Sequence, residues 1–111
     1  MKTEQTILLT SITTTEDVTK NLIIAVDGSL CDASEVPLGV INADTDSGEE
    51  APVCVEGIAL VKSGAAVVIG VLLKSDANSK AITTTTNNNL VIGKALDAAT
   101  AADELIRVKL F

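Results

Sequence analysis

Asp44-Thr45-Asp46-Ser47-Gly48-Glu49 is the stretch that comes nearest to a chemical motif. Acidic residues on alternate positions before a glycine suggest a calcium loop. The ligand spacing fails: the fifth position is Gly48, and the twelfth, where a bidentate glutamate belongs, is Val55. A solvated hairpin loop is the simpler reading. Glu49-Glu50 and Asp103-Glu104 pair carboxylates only along the chain, which does not aim two acids at one substrate. Histidine, tyrosine and tryptophan are absent. A Ser-His-Asp triad and a Cys-His pair are therefore impossible, and neither standard glycine-rich phosphate loop is present. Cys31 and Cys54 lie far apart in the sequence, form no CxxC and read as two buried, reduced thiols. Arg107 and Lys109 make the most basic local patch. They suit either the charged outer face of an edge strand or contact with an acidic neighbour. No catalytic residue, metal site or cofactor is expected.

What remains is a small apolar scaffold. The chain has 111 residues, 47% of them hydrophobic, yet Phe111 is its only aromatic. The core must be built from Val, Ile, Leu and Ala, and each such side chain contributes about 1.5–3 kcal/mol at most. A domain of this kind gains from burying more surface against copies of itself or a partner. The net charge of −7 opposes nucleic-acid binding, which needs cations to displace phosphate counterions, and opposes adhesion to anionic membranes. No secretory signal is evident: Ile7-Leu8-Leu9 is too short an apolar run. No stretch approaches the roughly 18 apolar residues of a membrane span. Synthesis and retention in a cytoplasm follow as the expectation.

Turn signals divide the chain into about eight short strands. Leu22 to Val26 reads as a strand buried on both faces, followed by the Asp27-Gly28 turn. Leu38 to Ala43 is a second strand. Val53 to Glu56 and Ile58 to Val61 flank Gly57, which marks a bulge or bend. Ser63-Gly64 turns into a strand from Val67 to Leu73. Asp76 to Ser79 is a turn, Ala81 to Thr83 a short strand, and Asn87 to Asn89 a loop. Leu90 to Leu96 and Leu105 to Leu110 close the fold. In the last, Ile106, Val108 and Leu110 point inward and Arg107 and Lys109 outward. Ala95, Ala98, Ala99 and Ala102 also fit a helical stripe; a single helical turn around 98–102 reconciles both patterns. Residues 1–20, rich in Thr and Glu, read as an N-terminal arm that orders on binding, and 21–111 as the β domain. One echo runs through the chain. Gly39, a loop, Glu49, Val53 and Val55 are matched by Gly93, a loop, Glu104, Val108 and Leu110. Either one hairpin is used twice or the match is chance.

The order and spacing of these pieces resemble the small phage capsid decoration proteins, also called cement or head-stabilising proteins. The matching residues are Thr14 to Asn21, Val26-Asp27-Gly28, Leu38-Gly39-Val40, Gly48-Glu49, Val53 with Val55, and Gly57 to Val61. Ser75-Asp76-Ala77 with Lys80-Ala81, and Ile92-Gly93 through Leu110, complete them. Asn78-Ser79 and Asp103 depart from the family, which commonly carries Gly in both turns. The resemblance implies an all-β single domain, a small β-barrel or β-sandwich with at most one or two helical turns. It also implies a late virion protein that binds the outside of the assembled major capsid protein lattice and stabilises it. Self-association as a homotrimer, or as a dimer, belongs to the same expectation, as does synthesis in the host bacterial cytoplasm. The candidate capsid contacts are Lys2, Thr3, Glu4, Thr13, Thr14, Thr15, Arg107 and Lys109. Two alternatives stand beside this. The segment from Gly57 to Ala81 resembles lipoyl and biotinyl carrier domains, with Lys80 as the modified lysine. A head-fibre base protein is the other.

Overall fold

The computed structural model describes residues 3–111 and contains no helix among them. Eight strands run in the order β1 (Gln5–Thr13), β2 (Ile23–Ala25), β3 (Pro37–Ile41), β4 (Glu50–Lys62), β5 (Leu72–Ser75), β6 (Ala81–Thr84), β7 (Val91–Ala95) and β8 (Leu105–Leu110). They form one antiparallel sheet in the order β2-β3-β4-β8-β7-β5-β6, with β1 also paired to β4. Inward residues of β2 to β8, among them Ile23, Val40, Val61, Leu73, Ile92 and Ile106, share one cluster. Strands from the two ends of a sheet meet in one core only if the sheet curls. The protein is thus a small all-β domain with an aliphatic interior. Val18, Ile24, Ile41, Ala51 and Val53 form a second cluster. Ile23 and Ile24 therefore face opposite cores, which is why that strand is apolar throughout.

Two expectations need correction and a third is sharpened. The segment 67–73 is a strand only from Leu72, because Gly70 takes a left-handed φ of 89° and breaks the pairing. Val67 makes just an isolated bridge to Ala99. No helical turn forms at 98–102. The Glu104 carboxylate captures the N–H groups of Thr100 (3.0 Å) and Ala101 (2.8 Å), and the Val67–Ala99 bridge holds the loop extended. The two segments around Gly57 join as one long strand, β4. Gly57 (φ 106°) sits opposite a register shift in β1, so the bulge lies inside the strand. For the segment read as an arm, the structure lays residues 5–13 along β4 and buries Val18, 2% exposed, in the second cluster.

The echo in the sequence is a structural duplication. Thr14 N–H donates to Glu49 O (3.0 Å) and its hydroxyl to Asp46 O (2.8 Å). Ser63 N–H donates to Glu104 O (2.8 Å) and its hydroxyl to Ala101 O (2.8 Å). Asn21 N–H to Ile41 O (2.9 Å) is matched by Gly70 N–H to Ala95 O (2.8 Å). Ile41 N–H to Leu22 O (2.9 Å) is matched by Ala95 N–H to Val71 O (2.9 Å). The left-handed residues pair as well: Asn21 (φ 73°) with Gly70 (φ 89°), Gly28 (φ 90°) with Ser79 (φ 64°), and Gly48 (φ 85°) with Asp103 (φ 67°). Gly57, at the junction, has no counterpart. One unit thus runs from β1 into the first half of β4, and the other from the second half of β4 to β8. The β4 strand belongs to both. Gly39 and Gly93 occupy equal places. A Cβ on Gly39 would lie 2.3 Å from Cys54 O, and one on Gly93 2.2 Å from Lys109 O.

Cys31 and Cys54 are free and buried, as expected. Burial pushes the Cys31 thiol up to about 11 and raises that of Cys54. An unfolded thiol ionises near pH 9, while the folded one keeps its proton. Stability is therefore full below that pH and falls as pH rises from about 9 towards 11. The expected loss is about 3 kcal/mol at most for Cys31. Urea midpoints at pH 7 and pH 10 check this: a Cys31→Ala chain should lose less between them than the wild type. Equal losses would contradict it.

Candidate functional site

Among the predicted contact residues, Thr3 and Glu4 precede β1, and Thr13, Thr14 and Thr15 lie at its far end. A nine-residue strand separates them by roughly 30 Å. At the start, Thr3 is exposed and Glu4 pairs with Lys20 at 3.8 Å; Lys2 lies outside the described residues. At the far end, the exposed Thr13 hydroxyl donates to Glu50 Oε1 (2.5 Å), and Thr15 N–H donates to Gly28 O (3.1 Å). Thr14 is 2% exposed. Its hydroxyl bridges the Asp46 and Glu49 carbonyls, so in this fold it fastens a loop and presents nothing outward.

Arg107 and Lys109 point outward from β8, but they are not equivalent. Arg107 is clamped to Asp97: Nε to Oδ2 at 3.0 Å, Nη2 to Oδ1 at 3.0 Å, and its backbone N–H to Oδ2 at 2.9 Å. That hydrogen bonding raises the guanidinium pKa further. The clamp closes the loop before β8, leaving Arg107 little freedom for a new partner. Lys109 is exposed, stands across from Lys94 in register, and lies 5.9 Å from the Phe111 ring centroid. Lys94, on β7, thus joins the basic patch; only strand pairing reveals it.

The start of β1 and the end of β8 approach from opposite edges of β4. Ile58 pairs with Gln5 on one side and Lys109 on the other. At this level lies a groove of about 500 Å³, lined by Ile7, Ile58, Leu110 and Phe111, with Glu56 and Lys109 as its charged members. Ile7 is 78% exposed and Phe111 59%. Leu8 and Leu9 are about half exposed beside them. The signal was present in the sequence: three consecutive apolar residues in a strand put apolar groups on both faces. A second apolar feature is the tip Val68-Ile69. In the duplicate unit its place is held by Thr19-Lys20.

Among the described residues no group of three or more His, Cys, Asp and Glu is placed to hold a metal ion. Asp44, from the calcium-like run, accepts the Lys20 N–H (2.7 Å). Lys80 lies at the β5–β6 turn, where a carrier lysine would stand free. Here its ammonium is paired with Asp103 at 2.5 Å, and its backbone N–H is held by Asp76. No helix of the described residues is long and apolar enough to cross a membrane. The arrangement suits surface contact through apolar strand faces flanked by a few charges.

Comparison with known families decides the class. The phage cement protein family matches residues 1–110. The chain belongs to the phage cement protein family. This makes it a structural protein associated with the phage capsid, and it agrees with the resemblance seen in the sequence. No curated protein matches it. Among solved structures the fold resembles that of the head fiber gp8.5 N base in bacteriophage phi29, at 20% identity and a TM-score of 0.71. The alignment covers 94% of this cement-family chain and 95% of the other. At that identity the likeness speaks for the fold.

Proposed function

We propose that this protein decorates the outer surface of the assembled major capsid lattice and stabilises it. The observation that carries the reading is the family match along nearly the whole chain. The physics agrees with it. A ligand that binds only the mature lattice stabilises that lattice by mass action. A symmetric shell repeats each site many times, so modest contacts per subunit suffice when subunits associate. Self-association, with a trimer favoured over a dimer, suits a thin aliphatic core with apolar groups left at the surface. The net charge of −7 keeps free subunits off nucleic acid and anionic lipid. Attachment involves the N-terminal segment: β1 is exposed along nearly all its length, and its detachment and reordering against the capsid would exchange one strand pairing for another.

Co-sedimentation with undecorated mature capsids and with unexpanded precursors tests the reading. Binding to mature capsids is expected, with weaker binding after deletion of residues 2–11, which spares Thr14 and Val18 and whose fold circular dichroism checks. Binding to neither particle would remove the decoration role, and undiminished binding by the shortened chain would remove the arm's part in it. The likeness to a head fiber base favours a second reading, a base that carries a fibre. It requires a longer partner bound to this domain.

A further inference from the structure

We propose that the outer sheet face of the second unit is the side that meets the capsid, and that it docks on a carboxylate-rich protein surface. The inference rests on the decoration reading above and adds which face attaches and what chemistry receives it. Charge is divided sharply between the units. Residues 1–56 carry eleven acids and two lysines, a net −9, while residues 57–111 carry four acids and six cations, a net +2. Strand pairing gathers the cations. Ile58 pairs with Lys109, Lys109 with Lys94, and Lys94 with Leu72, so these side chains share one face. Alternation along β4, β5 and β8 adds Lys62, Lys74 and Arg107 to it. Among the described residues, the strand positions on this face from Ile58 onward hold no acid. Asp97 reaches Arg107 from a loop, and Glu56 lies beyond Gly57.

Folding does not explain this arrangement. Lys94 and Lys109 stand directly across from each other, a like-charge pair that costs stability. Among the described residues neither ammonium is ion-paired. The matching pair in the first unit is Val40 with Cys54, and Leu72 and Lys74 match Ile23 and Ala25. Those four first-unit residues are at most 2% exposed and share a cluster with Leu73, Ile106 and Val108 of the second unit. The fold thus buries this face in one unit and leaves it open, with lysines, in the other. An apolar occupant is excluded there, because an ammonium buried without a partner is costly. Carboxylates satisfy it. Ile58, Leu60, Leu72 and Ile82 are half-buried among the cations, which suits a folded protein surface. A polyanion is repelled by the net charge of −7. Gln5 pairs with Ile58 at the margin of the face, so the N-terminal segment reaches the same surface.

Co-sedimentation of the full chain with undecorated mature capsids reads the effect. Lys94→Glu and Lys74→Glu should each weaken attachment about tenfold or more, and wild-type attachment should weaken as salt rises. The melting temperature of Lys94→Glu should not fall, because the change sets an opposite charge across from Lys109. Ala33→Glu combined with Ala43→Glu makes the same change in net charge on exposed loops of the first unit, and should bind like the wild type. A carbodiimide, which joins amines to carboxylates in contact, should link Lys94 or Lys109 to acidic residues of the major capsid protein. Face variants that bind like the wild type would overturn this face and leave the decoration reading standing. Failure of the wild type to bind would overturn both. Cross-links running only from carboxylates of this chain to capsid lysines would overturn the orientation. An oligomer that dissociates in the face variants while capsid binding holds would also overturn it, and would assign the face to a second copy.

Discussion

Gly39→Ala and Gly93→Ala are each expected to lose about 3 kcal/mol or more of folding stability, enough to leave a small domain largely unfolded. Each glycine lets a neighbouring backbone come close. The new Cβ would stand 2.3 Å from Cys54 O in one case and 2.2 Å from Lys109 O in the other. Both obstacles are main-chain atoms within the paired strands, so neither can move aside cheaply. Gly48→Ala and Gly70→Ala are the controls. They add the same methyl group with nothing within 4 Å, at φ of 85° and 89°. Only the backbone term remains there, about 1–2 kcal/mol. Urea midpoints of the four variants check the order. If Gly93→Ala proved no worse than Gly70→Ala, the close approach would not exist in solution, and the pairing of β7 with β8 would need redrawing.

Ile24→Ala and Leu73→Ala are each expected to lose about 2–5 kcal/mol. Both side chains are fully buried, and the duplication sets them in matching places: Ile24 pairs with Gly39, Leu73 with Gly93. They serve different clusters, Ile24 the smaller and Leu73 the larger. Without an aromatic to fill space, the surrounding Val and Ala collapse only partly into the cavity. Ile69→Ala, at 63% exposure, should stay within about 0.5 kcal/mol of the wild type. Thermal or urea unfolding monitored by circular dichroism separates these cases. A small loss at Leu73 with a large one at Ile24 would mean that the two halves do not share the load as the matched hydrogen bonds imply.

Residues that act locally made much of the fold legible. Strict alternation over Leu105–Leu110 marked β8, and its inward set is buried as read. Asp27-Gly28 and Gly57 marked a turn and a bulge because their left-handed backbone demands glycine. Residues decided by distant partners were harder to read. The alanines at 98–102 have high helix propensity, but Glu104 and Val67 hold that stretch as a loop. Val67 to Leu73 reads as one strand because a lone glycine does not announce its φ. Thr14 resembled its exposed neighbours until Asp46 and Glu49 were placed beside it. The duplication surfaced only as a shared spacing of a glycine, a glutamate and two apolar residues, since elsewhere different residues fill equal roles. Asn21 and Gly70 share a left-handed turn, and Thr14 and Ser63 share a loop-fastening hydroxyl. The groove at Phe111 needed β1 and β8 to be set on opposite edges of β4, which no local pattern states.

Electron cryomicroscopy of the phage particle would show directly where the protein sits on the head. Density fitting this eight-stranded domain is expected on the outside of the expanded shell, touching the major capsid protein. The same domain found inside the shell, or absent from the head, would contradict this.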